Sequence, residues 1–227
     1  ARLTEWAAGL TPVSEQATYF NFLDSHDGIG VMAVKDILSE QEIEMMALRV
    51  LENGGYISYK DNGDGNVAPY EMNITWWSAI NNDDTDEPIK LQVKRYIASR
   101  AIALVLMGVP GIYLHGLLGS KNDAESVIEE KQTRSINRKN IRKDELIRSL
   151  ESTESSTYMV TNRLMRLIRK RIDEKVFHPN APQTVLTIDD RLFVVLRNTQ
   201  DKAEYLLSLI NVSNTEFNIT IPNSVLK

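Results

Sequence analysis

The chain has 227 residues, of which 42% are hydrophobic and 25% are charged, so it can bury a core and is not disordered as a whole. Its net charge of −5 offers no basic surface for nucleic acid, and no apolar run approaches the ~20 residues that a membrane span needs. The sequence contains no cysteine, which excludes disulfides, thiolate metal sites and cysteine nucleophiles and fits a cytoplasmic protein.

Strand and helix patterns alternate over the first part of the chain. Two short apolar runs, Ala17–Leu23 and Gly111–His115, predict buried strands. This order of strand, helix, strand and helix is typical of a parallel α/β fold. The helical spacing of apolar residues predicts helices over residues 1–11, 39–53, 88–107 and 157–177.

Turn and loop signals separate these elements. Tyr56–Asp64 predicts a hairpin, Ala68–Asp86 a loop-rich stretch, and Gly119–Arg148 a long polar insertion. Ser39 and Glu42 have the spacing of a capping box, which predicts that the second helix begins there.

The pattern changes after Pro179, where short strands follow one another with turn residues between them. This spacing predicts a small antiparallel β unit. We therefore expect two domains, residues 1–178 and residues 179–227. The predicted strands of the second domain are Thr184–Ile188, Leu192–Asn198, Glu204–Val212 and Glu216–Ile221.

A polar turn, Asp24–Gly28, directly follows the first predicted strand. In parallel α/β folds the carboxyl ends of the strands carry the chemistry. A histidine beside two carboxylates in such a turn can hydrogen-bond a polyol or hold a proton. A turn that only caps the strand fits the residues equally well.

Other candidate residues have a structural alternative. Arg134 and Arg138 can clamp a phosphate or hydrogen-bond sugar hydroxyls, but the residues alone favour a solvated basic stretch. Tyr70, Trp76 and Trp77 offer flat faces for a sugar, although core aromatics are commoner.

The segment Lys60–Gly65, followed by Glu71, has nearly the spacing of a calcium-binding loop. Its first ligand position holds Lys60, a cation where an oxygen donor is required, so a hairpin turn is the better interpretation. We expect no metal and no cofactor, because the sequence also has no glycine-rich phosphate-binding motif.

Two motifs together resemble the α-amylase superfamily (glycoside hydrolase family 13). Phe22–Asp27 is similar to its fourth signature region, in which a His-Asp pair follows the seventh strand of a (β/α)8 barrel. Gly108–Tyr113 is similar to the eighth strand. The resemblance implies the C-terminal part of a (β/α)8 barrel, strands seven and eight with their helices, followed by a small antiparallel β domain.

Further segments resemble the sucrose phosphorylase branch of that superfamily: His26–Val31, Tyr70–Thr75, Leu117–Asp123 and Arg134–Arg138. The branch includes enzymes acting on phosphorylated sucrose and on glucosylglycerate, which these segments do not separate. The implied function is transfer of a glucosyl group from an α-glucoside to inorganic phosphate, which gives glucose 1-phosphate. The implied partners are these small molecules, without nucleic acid or membrane.

The resemblance also implies roles for individual residues. Family members use an aspartate nucleophile, a glutamate acid/base and a second aspartate that stabilises the transition state. Asp27 matches this second aspartate, and His26 its sugar-binding neighbour. Arg138 would contact the bound glucose with Arg134 nearby, and Tyr70 would lie on the loop for the acceptor or phosphate.

The chain departs from the family because the segments with the nucleophile and the acid/base are not in this sequence. We therefore expect a C-terminal fragment that is inactive alone. Its two barrel strands would need the missing N-terminal part, or self-association, to cover their edges. Two alternatives stay open: an α-glucoside hydrolase or transglucosylase, and a non-catalytic carbohydrate-binding or assembly module.

Overall fold

The structure, a computed structural model, describes residues 2–61, 63, 65–82 and 85–221. The chain divides into two compact units. Unit 1 comprises Ala1–Asn21, Ala98–Pro110 and Arg166–Lys227, and unit 2 comprises Phe22–Ile97 and Gly111–Met165. The boundary that we predict between residues 178 and 179 falls inside unit 1 and stays a prediction.

The secondary structure is a mixture of helices and short strands. The helices of the described residues are α1 (Arg2–Ala8), α2 (Glu40–Glu52), α3 (Trp76–Ile80), α4 (Ile89–Val105), α5 (Leu114–Leu118), α6 (Ala124–Glu130), α7 (Lys143–Glu151) and α8 (Ser156–Asp173), with 3₁₀ turns at Met32–Val34, Thr133–Asn137 and Lys175–Phe177. The strands are β1 (Phe20–Asn21), β2 (Ile29–Gly30), β3 (Tyr56–Asp61), β4 (Val67–Asn73), β5 (Val109–Pro110), β6 (Gln183–Leu186), β7 (Leu192–Asn198) and β8 (Tyr205–Asn211).

Unit 1 contains two of the sheets. β1 and β5 pair in parallel, with Phe20 opposite Val109, and β6, β7 and β8 form an antiparallel sheet in that order. The middle strand β7 is almost entirely buried, and Phe193 and Val195 pack with Phe177 in the core. The fold is therefore mixed α/β with a C-terminal antiparallel sheet, and its parallel pairing is short.

Two arginines in unit 1, the buried Arg197 and the half-buried Arg171, donate to backbone carbonyls. Arg197 on β7 donates to the carbonyls of Val105 (3.0 Å), His178 (2.9 Å) and Ala181 (3.2 Å). Arg171 on α8 donates to the carbonyls of Leu104 and Gly108. Burial lowers the pKa of each guanidinium to about 10, and the charge of Arg171 further lowers the pKa of Arg197. These side chains satisfy carbonyls in and just after the last turn of α4.

Unit 2 is built around the sheet β2–β4–β3. Met72 and Ile74 pack there against Ile43 and Ala47 of α2. This helix begins as predicted: the Ser39 side chain accepts from the Glu42 amide, and the Glu42 carboxylate accepts from the Ser39 amide at 2.9 Å.

A second core cluster in unit 2 joins α3, the first part of α4 and the first part of α8. Trp77 and Tyr96 are fully buried, with ring centroids 5.4 Å apart. Tyr96 donates a 2.7 Å hydrogen bond from its hydroxyl to the carbonyl of Gly116. Trp77 is therefore a core residue, and its alternative interpretation as a sugar-stacking surface is wrong.

Two predictions about the middle of the chain are wrong. The strand predicted at Gly111–His115 lies earlier, at Val109–Pro110. The end of the predicted segment belongs to a helix instead, because the Tyr113 carbonyl accepts from the Leu117 amide at 2.9 Å in the first turn of α5. The loop-rich stretch Ala68–Asp86 includes most of β4 and α3. β4 escaped prediction because it contains Pro69 and buries polar side chains, which disrupts the usual alternation.

Two predictions near the C-terminal end also need correction. Glu216–Ile221 forms no strand, and Phe217 instead lies under the guanidinium of Arg191, 3.8 Å from ring centroid to Cζ. The helix predicted over Thr157–Phe177 ends at Asp173.

No helix within the described residues is long and apolar enough to cross a membrane.

Candidate active site

The turn that follows β1 is shaped by Gly28 at its end. Gly28 has φ +123°, and a Cβ added there would lie 2.4 Å from the carbonyl oxygen of Met72. Only glycine adopts this backbone without strain, so the turn can lead directly into β2, where Ile29 pairs with Met72. The Ser25 hydroxyl accepts from the Asp27 amide at 3.2 Å. The backbone on both sides of Asp27 is thereby fixed.

Three side chains converge on one oxygen of Asp27. Arg138 Nη2 lies 3.1 Å from Oδ1, Arg134 Nη1 lies 3.3 Å away, and His26 Nε2 lies 3.4 Å away. Arg138 also donates from Nε to the His26 carbonyl at 3.0 Å. The Asp27 side chain is 39% exposed, so a ligand can reach this carboxylate. The structure thus brings together Asp27, His26, Arg134 and Arg138, all of them predicted site residues.

The Arg134 guanidinium is held by two hydrogen bonds to the Glu71 carboxylate. Its Nε donates to Oε1 of Glu71 at 2.9 Å and its Nη2 to Oε2 at 2.7 Å, a bidentate pair. The hydrogen bonds and the charge of Glu71 raise the pKa of Arg134 above its ordinary value. Glu71 lies on β4 and is buried. Arg134 is therefore held between two carboxylates.

Asn73 completes the network on the same strand. Its Nδ2 donates to Glu71 Oε1 at 2.5 Å and to the Asp27 carbonyl at 3.0 Å, while its Oδ1 accepts from the Ser58 hydroxyl at 2.7 Å. Sequence reasoning did not identify Glu71 or Asn73 as site residues. The signal was available, because two polar residues spaced by two on a strand share one face.

A small pocket lies beside the turn. Asp24 and Ser25 line it together with Tyr113, His115 and Asn137, over a floor of aromatic side chains. Tyr113 donates from its hydroxyl to the Asn137 carbonyl at 2.8 Å. Burial raises the pKa of Tyr113 and lowers the pKa of His115, so both side chains stay uncharged at neutral pH. The pocket therefore offers the uncharged hydrogen-bonding groups of Tyr113 and His115 beside the carboxylate of Asp24.

Tyr70 lies next to Glu71 on β4 and lines a different pocket from the one beside Asp24 and Ser25. Its ring centroid is 5.8 Å from Lys60 Nζ, and it lines a shallow pocket with Lys35 and Asp61. The hairpin predicted over Tyr56–Asp64 is correct only for its first strand, β3, because the strand that pairs with it, β4, begins at Val67. Asn62 and Asp64 of the predicted turn lie outside the described residues. Within the described part of the chain, no three His, Asp or Glu side chains are grouped as a metal site would need.

Comparison with known proteins gives relatives across nearly the whole chain. The glucosylglycerate phosphorylase of Spirochaeta thermophila is 38% identical over 99% of this chain and 38% of its own length. That of Escherichia coli is 35% identical over 97% and 39%, and the sucrose phosphorylase of Streptococcus mutans is 28% identical over 96% and 42%. The chain thus spans about two fifths of the length of these relatives. No protein-family model matches it.

The fold has a solved counterpart as well. The crystal structure of sucrose 6F-phosphate phosphorylase from Thermoanaerobacter thermosaccharolyticum matches 85% of this chain and 39% of its own, with a TM-score of 0.63 and 26% sequence identity. The resemblance drawn from the motifs is confirmed: this chain is a homologue of the glucosylglycerate and sucrose phosphorylases, a branch of glycoside hydrolase family 13.

Proposed function

We propose that this chain is the C-terminal part of an α-glucoside phosphorylase and supplies the carboxylate that stabilises its transition state. The observation that carries the proposal is the convergence of Arg138, Arg134 and His26 on Oδ1 of Asp27. Donors that are themselves fixed by other contacts hold a carboxylate in one orientation. The homology to phosphorylases supports the same role.

The reaction would proceed by two displacements at the anomeric carbon. An aspartate nucleophile, outside this sequence, forms a bond to that carbon while the bond to the leaving oxygen breaks and a glutamic acid protonates that oxygen. A phosphate oxygen then attacks the glucosyl ester, and its proton passes to the glutamate, which gives glucose 1-phosphate and frees the aspartate. Positive charge develops on the sugar ring in both steps.

In this scheme Asp27 offsets the ring's positive charge and accepts hydrogen bonds from sugar hydroxyls. Arg138 and His26 line the same exposed edge and contact the glucosyl unit, with Arg134 behind them. Tyr70 belongs to the acceptor or phosphate side, because Lys60 and Lys35 beside it provide positive charge near its ring.

The proposed architecture is an incomplete (β/α)8 barrel, residues 1–178, followed by an antiparallel domain, residues 179–227. Two observations support it: the parallel pairing of β1 with β5, and the match to the phosphorylase structure. The Phe20 side chain of β1 is 66% exposed. Its partner on β5, Val109, is 42% exposed, and within the described residues this sheet has only two strands. We assign the cover of its edges to the part of the barrel outside this sequence or to a second copy.

The test is the phosphate dependence of glucosyl transfer by the protein expressed from its complete gene. Sucrose, its 6F-phosphate and glucosylglycerate are each supplied with and without inorganic phosphate, and glucose 1-phosphate is measured. A phosphorylase forms it only when phosphate is present. Release of free glucose at the same rate without phosphate would identify a hydrolase instead.

A second measurement uses residues 1–227 alone. Because two of the three carboxylates lie outside this sequence, we expect no turnover with any of these glucosides. Formation of glucose 1-phosphate by this chain alone would contradict that expectation. Sugar binding without turnover, by a gene product that has neither missing carboxylate, would support the carbohydrate-binding module.

A further inference from the structure

Glu71 is a buried carboxylate directly beneath the candidate site. Its side chain is 7% exposed, and both oxygens accept charge-assisted or amide hydrogen bonds, from Arg134 and from Asn73. A carboxylate is expensive to bury, and it is retained where its partners satisfy it.

Both hydrogen-bond partners of Glu71, Arg134 and Asn73, also contact Asp27, one at its side chain and the other at its main chain. Arg134 reaches the side chain, with Nη1 3.3 Å from Oδ1. Asn73 reaches the main chain, with Nδ2 3.0 Å from the carbonyl oxygen. Glu71 therefore connects to both the carboxylate and the backbone of Asp27, although it lies on a different strand segment.

The geometry makes Glu71 the fixed point of this network. Arginine has a long side chain with several rotatable bonds, and only its planar fork on Glu71 fixes Nη1 toward Asp27. The two carboxylates repel one another, and the Arg134 guanidinium between them offsets this repulsion. Without the charge of Glu71, the fork would be free to turn wholly onto Asp27 or to leave it.

We propose that Glu71 is a positioning residue, which fixes the orientation of the Asp27 carboxylate through Arg134 and of its backbone through Asn73 before a sugar binds. The inference rests on the proposed role of Asp27 in the transition state. It adds a residue that acts through Arg134 and Asn73 and determines how well the Asp27 carboxylate is aligned. Its loss should affect the rate of the chemical step more than substrate binding.

The first test is structural and needs no turnover. In the Glu71→Gln variant of this chain, one bidentate charged pair is replaced by a neutral contact. We expect the Arg134 Nε–H to exchange with water about tenfold faster or more, and the carboxyl carbon signal of Asp27 to move in the NMR spectrum. An Asp27 signal that stays in place while Arg134 is released would overturn the proposal.

A matched control exists in the same unit. Glu87 forms a similar bidentate pair with Arg95, with Nη1–Oε2 2.8 Å and Nη2–Oε1 2.5 Å. Glu87→Gln should release Arg95 without moving the signals of Asp27 or His26. If Glu71→Gln does not fold, Glu71→Asp gives the same test, because the shorter side chain keeps the negative charge but cannot reach Arg134 with the same bidentate geometry.

The second test is kinetic and uses the protein from its complete gene. We expect Glu71→Gln to lower kcat about tenfold or more and to change KM for the glucoside less than about threefold. Equal kcat for Glu71→Gln and wild type would overturn the positioning role. A wild-type protein without turnover would refute the proposed function instead, while the NMR result still decides whether Glu71 orients Asp27.

Discussion

Arg138 and Asp27 are 111 positions apart in the sequence and form one of the central contacts of the site, with Nη2 3.1 Å from Oδ1. The same arginine holds the backbone of His26 through its Nε at 3.0 Å. Arg138 follows the 3₁₀ turn Thr133–Asn137, whereas Asp27 lies in the turn after β1. The site therefore exists only when these distant segments have folded together.

Replacing Arg138 tests this contact. Arg138→Ala removes a fixed cation from a carboxylate that we assign to the transition state, so kcat/KM of the protein from its complete gene should fall about a hundredfold or more. Arg142→Ala is the control, because this arginine is 80% exposed and pairs with Asp144 on the surface. Equal kinetic losses in the two variants would refute a specific role for Arg138.

Gly28 and Gly30 allow a matched pair of substitutions. Gly28→Ala forces a non-glycine residue to φ +123° and places its Cβ 2.4 Å from a backbone oxygen. We expect it to destabilise the chain by about 2 kcal/mol or more, because the strain and the clash add. Gly30→Ala meets nothing within 4 Å and should be nearly neutral. Urea unfolding measures both, and equal midpoints would contradict the turn geometry.

His115 should make stability depend on pH. Burial lowers its pKa below 6.5, against the attraction of Asp24 and Asp123, so in acid the unfolded chain binds a proton that the folded chain does not. Its contribution to stability is complete above pH 6.5 and is lost as the pH falls through the lowered folded pKa.

Comparing the free energy of unfolding at about pH 7.5 and about pH 5 measures this contribution. The decrease on acidification should be smaller in His115→Gln than in the wild-type chain, since glutamine does not titrate. The same decrease in both would show that His115 binds its proton equally well in the folded state.

We expect substitution of Arg197 to lower the stability of the folded chain more than substitution of Arg191. Arg197→Met would leave the carbonyls of Val105, His178 and Ala181 without their donor, at a cost of about 3 kcal/mol. Arg191→Met removes only a surface pair with Asp189 and a contact with Phe217, and should change stability much less. Calorimetry or urea unfolding compares them, and a smaller effect at Arg197 would contradict its structural role.

Local signals in the sequence predict several elements well. The Ser39–Glu42 capping box begins α2 as expected, and β7 matches its predicted bounds, Leu192–Asn198. Both depend on residues close together in the chain: a cap with its third following residue, and an apolar run between turns. Such elements need little tertiary information.

Elements that depend on distant partners were harder to predict. β4 buries Glu71 and Asn73, which apolar periodicity excludes from a core, because these side chains are satisfied by Arg134, Asp27 and Ser58 from other segments. The motif resemblance named Asp27, His26, Arg134 and Arg138, which lie together in the structure. The resemblance did not show that Arg134 contacts both Glu71 and Asp27. These contacts join segments that are far apart in the sequence, so they follow only from the tertiary structure.

The most direct test of the account is the Asp27→Asn substitution in the protein expressed from its complete gene, with formation of glucose 1-phosphate as the readout. The amide keeps the size of the side chain but removes the negative charge. We predict that kcat falls at least about a hundredfold while the variant unfolds at nearly the wild-type urea concentration. A kcat within about threefold of wild type would contradict the claim that this carboxylate stabilises the transition state.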